Sequence, residues 1–176
     1  PYLKEEGYEI VYIGSQNGIE RTLIEAEGIP YYGISTGKLR RYLSKENIKD
    51  MFRVVKGIAE AKKLIKKLNP DLVFSKGGFV AVPVVLGAKS NNVPVIIHES
   101  DMTPGLANKL CIPVATKVCC NFPETTKYVP SGKAILTGSP IRSELTTGSK
   151  LAALELCGFT ANKPVVMVIG GSQGAA

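Results

Sequence analysis

Residues 71–101 read DLVFSKGGFVAVPVVLGAKSNNVPVIIHESD, and the fold follows from this stretch. A short apolar run, Asp71–Ser75, leads into Lys76-Gly77-Gly78. The segment Phe79–Ser90 then has the length and apolar content of a helix, despite Pro83. A second apolar run, Val93–Ile97, ends in His98-Glu99-Ser100-Asp101. Neither run alternates polar with apolar residues. Strands that are apolar throughout are buried on both faces, as in a parallel sheet covered by helices.

The same alternation extends outward in both directions. Upstream, Glu9–Ile13 and Tyr31–Ile34 read as strands, with a helix over Ile19–Glu27 between them, stopped by Gly28 and Pro30. The longest helix is expected over Ile48–Leu68, with Met51, Phe52, Val55, Ile58, Ile65 and Leu68 at helical spacing. Downstream, Pro104–Leu110 starts a helix, Lys117–Asn121 and Ala134–Thr137 are strands, Lys150–Leu156 is a helix and Pro164–Ile169 a strand. The order predicts an α/β fold: a Rossmann-like parallel sheet with helices on its faces. In such sheets ligands bind at the C-terminal ends of the strands. The unusual residues collect there: Gly77-Gly78, His98–Asp101, Gly138–Arg142 and Gly170–Gly174.

Each has a plain structural reading beside a functional one. Gly77-Gly78 is either a tight turn or a place where backbone N–H groups approach an anion at a helix N-terminus. Gly170-Gly171-Ser172-Gln173-Gly174 has the same layout and favours a phosphate contact, but lacks the Gly-Lys-Ser/Thr of a Walker loop. His98, the only histidine, cannot form a triad with Ser100 and Asp101, because neighbours on an extended chain point to opposite faces. A buried, hydrogen-bonded histidine is its plain reading. Glu99 at a strand end anchors a loop, orients a base, binds a sugar hydroxyl or caps the helix that follows. Arg142 suits a phosphate or carboxylate, or pairs with Glu144.

Composition narrows the classes further. Of the 176 residues 44% are hydrophobic and 21% charged, which excludes a disordered tail. Eleven Lys and Arg and three acidic residues fall between Lys38 and Lys67, so this segment carries the whole net charge of +7. Such a segment attracts an anionic partner. An anionic membrane leaflet suits it best, with Phe52, Met51, Tyr42 and Leu43 offering apolar contact. A solvated helix face is the plain reading of Lys62, Lys63, Lys66 and Lys67. No nucleic-acid motif appears, so no nucleic-acid partner is expected. No apolar run reaches bilayer-spanning length. The four cysteines have no metal-ligand spacing, so neither a metal nor a cofactor is expected, and Cys119-Cys120 reads as core. A chain that opens on Pro1 and stops in a strand-to-helix turn is expected to be a piece of a longer protein.

Four motifs in order now carry a resemblance: Ser75–Val80 (SKGGFV), His98–Lys109 (HESDMTPGLANK), Thr137–Arg142 (TGSPIR) and Gly170–Ala175 (GGSQGA). Together they resemble the MurG family, the N-acetylglucosaminyltransferases of peptidoglycan synthesis. The resemblance implies the N-terminal part of a two-domain GT-B fold: an acceptor and membrane domain over 1–142, its first strand and glycine loop missing, and the start of a UDP-sugar domain over 143–176. It implies inverting transfer of GlcNAc from UDP-GlcNAc to undecaprenyl-diphospho-N-acetylmuramoyl-pentapeptide at the cytoplasmic face of the bacterial membrane, as a peripheral protein.

By motif, Arg142, Gly170, Gly171, Ser172, Gln173 and Gly174 would meet UDP-GlcNAc, and Gly77 and Gly78 the acceptor diphosphate. Glu99 would be the acidic residue of the cleft and the candidate catalytic group, while Lys38, Arg40, Arg41, Phe52 and Arg53 would face the membrane. The family's proposed general base would precede Pro1, so the piece alone is expected to be inactive. Many members have Gln-Asn where Ser100-Asp101 stands, and Asn where Ser139 stands. Another lipid-acceptor GT-B transferase and a non-catalytic membrane or anion-binding module are the alternatives.

Overall fold

The computed structural model describes residues 2–37, 45–141, 143–160 and 162–168. They fall into two compact units, 1–139 and 140–176. In the first, the order is α1 (Tyr2–Glu5), β1 (Tyr12–Ser15), α2 (Glu20–Ala26), β2 (Tyr31–Ile34), α3 (Lys45–Leu68), β3 (Val73–Ser75), α4 (Ala81–Ser90), β4 (Val95–Glu99), α5 (Leu106–Cys111), β5 (Lys117–Cys120) and β6 (Ala134–Leu136). Every strand pair is parallel, β1 with β2 and β3-β4-β5-β6 in sequence. This is the α/β parallel sheet that the apolar strands predict.

The two strand sets share one core. Ile34 of β2 is buried in the same cluster as Ala61 and Ile65 of α3, Val73 of β3 and Ile97 of β4. Helix α3 is therefore the joint between the sheets. It packs tightly because Gly57 has no side chain: a Cβ there would overlap the Ser35 carbonyl oxygen. Glu60, one turn on, accepts from the Ser35 backbone N–H at 2.6 Å and from its hydroxyl at 3.1 Å. Helix α4 then lies along α3, buried on Val82, Val84, Val85 and Ala88. Pro83 is its third residue, inside the first turn, where a missing N–H removes no intrahelical bond.

Some boundaries differ from the sequence reading. The first strand starts three residues later than Glu9–Ile13 and ends two later, since Gly14 and Ser15 pair with Gly33 and Ile34. Tyr12 stacks on Tyr31, whose hydroxyl donates to the Ser15 carbonyl, so ring packing sets the register. The apolar stripe of α3 also divides. Gly57, Ala61 and Ile65 face inward, while Phe52 is 72% exposed and Val55 61%. The close approach at Gly57 and Ala61 dictates which side of the helix is buried, and Phe52 lies on the other.

In the second unit α6 (Lys150–Cys157) is capped by Ser149, whose hydroxyl oxygen accepts from Ala152 N–H, and ends at Gly158 in the left-handed region. The strand expected over Pro164–Ile169 is absent from its described residues, and Val166 and Val168 are 86% and 93% exposed. A parallel strand forms only against a neighbour, and the described residues of this unit contain none.

Two outcomes follow for the α3 joint. Gly57→Ala, which must displace backbone rather than a flexible side chain, is expected to destabilise the intact protein by about 1–3 kcal/mol, seen as a lower Tm in calorimetry. Burial opposes ionisation of Glu60, but the Ser35 donors and Lys56 outweigh it and lower its pKa. A lowered carboxylate pKa contributes stability above the ordinary carboxylate value, lost as pH falls through the folded value. Glu60→Gln should therefore cost about 1 kcal/mol at pH 7, discounted for partial exposure, and almost nothing near pH 3 in parallel melts.

Candidate functional site

Strands β3 and β4 lie side by side, Ser75 opposite Ile97, so their C-terminal ends open on one edge of the sheet. From β3 the chain enters the glycine turn. Gly77 and Gly78 have φ of +91° and +87°, a region that L side chains avoid. The Gly77 N–H donates to the buried Ser75 hydroxyl at 3.2 Å. Helix α4 follows with no side chain capping its first turn and no acidic residue in it. The exposed Lys76 stands beside the turn. The Ala81 N–H donates to the Gly78 carbonyl at 3.1 Å, and a helix N-terminus without a side-chain cap, with a lysine beside it, forms an arrangement suited to an anion.

From β4 the chain enters a loop held by side chains on every side. Glu99 is 4% exposed. Its Oε1 accepts from Asp101 N–H at 2.9 Å, and its Oε2 accepts from Asn108 Nδ2 at 2.8 Å and Gly105 N–H at 3.3 Å. The carboxylate thus spans the loop 100–105 and ties it to α5. Farther along, the Thr125 hydroxyl donates to Asp101 O at 2.9 Å, and Asn121 Nδ2 donates to Ser100 O at 3.2 Å. His98 is 3% exposed. Its Nε2 faces the Gly138 carbonyl at 3.0 Å, which can only accept, so Nε2 carries the proton. The other nitrogen, Nδ1, accepts from Ser100 Oγ at 3.4 Å. His98 therefore clamps the end of β4 to the turn after β6, as its plain reading requires. Of the four roles open to Glu99, these bonds fill loop anchor and helix cap. Both carboxylate oxygens of Glu99 are engaged in holding the loop and α5.

Gly77, Glu99, His98 and Gly138 are thus brought to one end of the sheet. Phe52 and Arg53 are elsewhere, exposed on α3; Arg53 borders a polar depression with Ser15, Gln16, Asn17 and Thr36 beyond β1 and β2. Lys38, Arg40, Arg41, Arg142, Gly170, Gly171, Ser172, Gln173 and Gly174 lie outside the described residues. Among the described residues no group of His, Cys, Asp or Glu side chains is placed to hold a metal. Burial pushes the Cys111 thiol up to about 11, and burial with Cys119 and Glu99 nearby raises Cys120, so both stay protonated core thiols. Sequence reasoning missed Asn108, Thr125 and the Gly138 carbonyl. A polar Asn108 between Ala107 and Cys111 on a short apolar helix was the available signal for the first.

Comparison with known proteins fits this site. Residues 1–120 match the model of the glycosyltransferase family 28 N-terminal domain. The chain belongs to glycosyltransferase family 28. The family 28 match runs through β5 and takes in the glycine turn, Glu99 and Asn108. A relative from Lachnospira eligens is 67% identical over 99% of this chain, and one from Lachnoclostridium phytofermentans 68% identical over 98%. Both are named UDP-N-acetylglucosamine--N-acetylmuramyl-(pentapeptide) pyrophosphoryl-undecaprenol N-acetylglucosamine transferase. The chain spans 49% of each, about half the length of the curated relatives it matches. The crystal structure of Acinetobacter baumannii MurG resembles it at a TM-score of 0.65 and 27% identity, covering 83% of this chain and 41% of that one. The architecture is that of the N-terminal part of a GT-B glycosyltransferase.

If Glu99 anchors this family 28 loop, Glu99→Ala must orphan three donors. The expected loss is about 3 kcal/mol or more, with faster proteolysis within residues 100–105. Unchanged melting and cleavage would contradict the anchor.

Proposed function

We propose that the intact protein transfers GlcNAc from UDP-GlcNAc to undecaprenyl-diphospho-N-acetylmuramoyl-pentapeptide, inverting the anomeric centre, on the cytoplasmic side of the membrane. One observation carries the reading: 67% identity across 99% of the chain to a transferase of that name. The glycine turn adds chemical support, since its uncapped helix start suits the diphosphate that such an acceptor carries.

An inverting transfer needs a base for the acceptor hydroxyl and stabilisation of the departing UDP. Within this chain Gly77 and Gly78 take the acceptor diphosphate. Glu99 serves from behind, fixing the loop that borders it. Arg142 and the Gly170, Gly171, Ser172, Gln173 and Gly174 segment take UDP-GlcNAc. Arginine and backbone N–H groups stabilise a leaving diphosphate without a metal. His98 is not assigned the base, because both its nitrogens are engaged. The chain by itself is inactive in this reading.

The basic segment docks the protein on an anionic leaflet. No helix among the described residues is long and apolar enough to cross a membrane. Phe52, Arg53, Val55 and Lys56 are exposed on the first half of α3, beside Lys38, Arg40 and Arg41 in sequence. An aromatic with neighbouring cations is suited to the headgroup boundary, each cation adding about 1 kcal/mol near the surface.

The transfer is tested by incubating the full-length protein with UDP-GlcNAc and a soluble analogue of the diphospho-muramoyl acceptor. A disaccharide product with inverted linkage is expected, and none from residues 1–176 alone. Transfer to diacylglycerol instead would favour the other lipid-acceptor class. Reversing charge at Lys38, Arg40 and Arg41 should reduce sedimentation with anionic vesicles at least severalfold at low salt; unchanged sedimentation removes the membrane role.

A further inference from the structure

Asn108 is the unexplained group of the site. It is 5% exposed, yet it sits on α5 between the two strand ends. Its Nδ2 donates to Glu99 Oε2 at 2.8 Å and lies 3.5 Å from the His98 carbonyl, which fixes the amide orientation. Its Oδ1 is buried with no hydrogen-bond partner. That oxygen faces the glycine turn: a Cβ on Gly77 would lie 3.0 Å from Oδ1 and 3.1 Å from Nδ2. The amide is therefore wedged between the Glu99 carboxylate and the backbone of Gly77. A Cβ there would be tight against the amide, and φ of +91° disfavours any L side chain. Leaving a buried carbonyl oxygen unpaired costs stability. Threonine or alanine would pack at this place without an orphan oxygen, so packing alone does not account for an amide.

We propose that Asn108 is a positioning residue that couples the glycine turn to the Glu99 loop, setting the turn's shape for the anion it binds and holding the carboxylate that orders residues 100–105. The donor half of the amide serves Glu99 and the acceptor half stands ready for an N–H of the turn when it closes on its ligand. The proposal rests on the transferase reading for the identity of that ligand, a sugar-linked diphosphate, but not for the coupling itself.

Asn108→Asp separates positioning from packing, because the two side chains have the same shape. Protonated, the new carboxyl donates to Glu99 Oε2 as the amide does; ionised, it opposes a carboxylate at hydrogen-bond distance. Like charges so placed hold one proton up to a higher pH. The other titratable residues meeting this point are His98 on β4, whose carbonyl lies 3.5 Å from Asn108 Nδ2, Asp101 in the loop, whose N–H bonds Glu99, and Cys120 on β5, whose thiol feels the Glu99 charge.

The experiment uses the full-length protein. Asn108→Ala is expected to lower kcat for GlcNAc transfer ~10–100-fold, as displaced supports of a site do, with KM for UDP-GlcNAc within twofold and circular dichroism unchanged. Asn108→Asp should be similarly poor at pH 8 and, as a ratio to wild type, recover at least tenfold by pH 5.5. A ratio flat with pH, or Asn108→Ala within twofold of wild type, overturns the proposal. If wild type transfers nothing, the transferase reading falls, and calorimetric binding of inorganic pyrophosphate decides the coupling. A fivefold or greater loss on Asn108→Ala, with Asn108→Asp recovering at pH 5.5, supports it; equal binding overturns it.

Discussion

A carboxylate is buried at the C-terminal end of the sheet, on the strand between β3 and β5. Glu99 is removed from water with three donors around it, and an ionised group so placed is tolerated only while those donors stay in position. Asp101 and Gly105 supply theirs from the backbone, which dictates the path of the loop. Asn108 supplies the third from α5, which dictates where that helix sits. Because Asn108 also presses on Gly77, the constraint reaches the neighbouring strand and its glycine turn. The strand-end face is thus one connected polar structure built from β3, β4 and α5, extended by His98 to the turn after β6.

That connection explains why the motif residues divide into two kinds. Gly77 and Gly78 remain on the more open side, beside the start of α4 that no side chain caps. Glu99 and His98, the residues whose chemistry invites a catalytic role, are instead structural members behind that surface. The uncapped start of α4 beside the turn suits an anion, the ligand class that the proposed transfer requires. In the proposed transfer, the base and the stabilisation of the leaving group fall to residues other than these two.

Much of this was legible in the sequence. Tyr31–Ile34 is legible to the residue, because Pro30 precedes it and the polar Ser35-Thr36 follows. Continuous apolar strands announced a parallel sheet, and glycines at a strand end announced the turn. The parts that escaped depend on contacts between distant residues. Ring stacking of Tyr12 on Tyr31 moved the first strand, the approach of Gly57 to Ser35 turned α3 so that Val55 of the expected stripe faces out, and Val166 lies exposed because its expected strand has no neighbour among the described residues. Asn108 was quoted within a motif but not singled out, since its role appears only once Gly77 and Glu99 converge on it.

The central claim is that the glycine turn and the Glu99 loop act together as the anion-binding face. Hydrogen–deuterium exchange of the full-length protein, with and without a soluble diphosphate-linked muramoyl acceptor, tests it most directly. The account predicts slowed exchange in both peptides covering 76–80 and 100–106, and loss of that joint protection in Asn108→Ala. Protection confined to other regions, with these two segments unchanged by the acceptor, would contradict it.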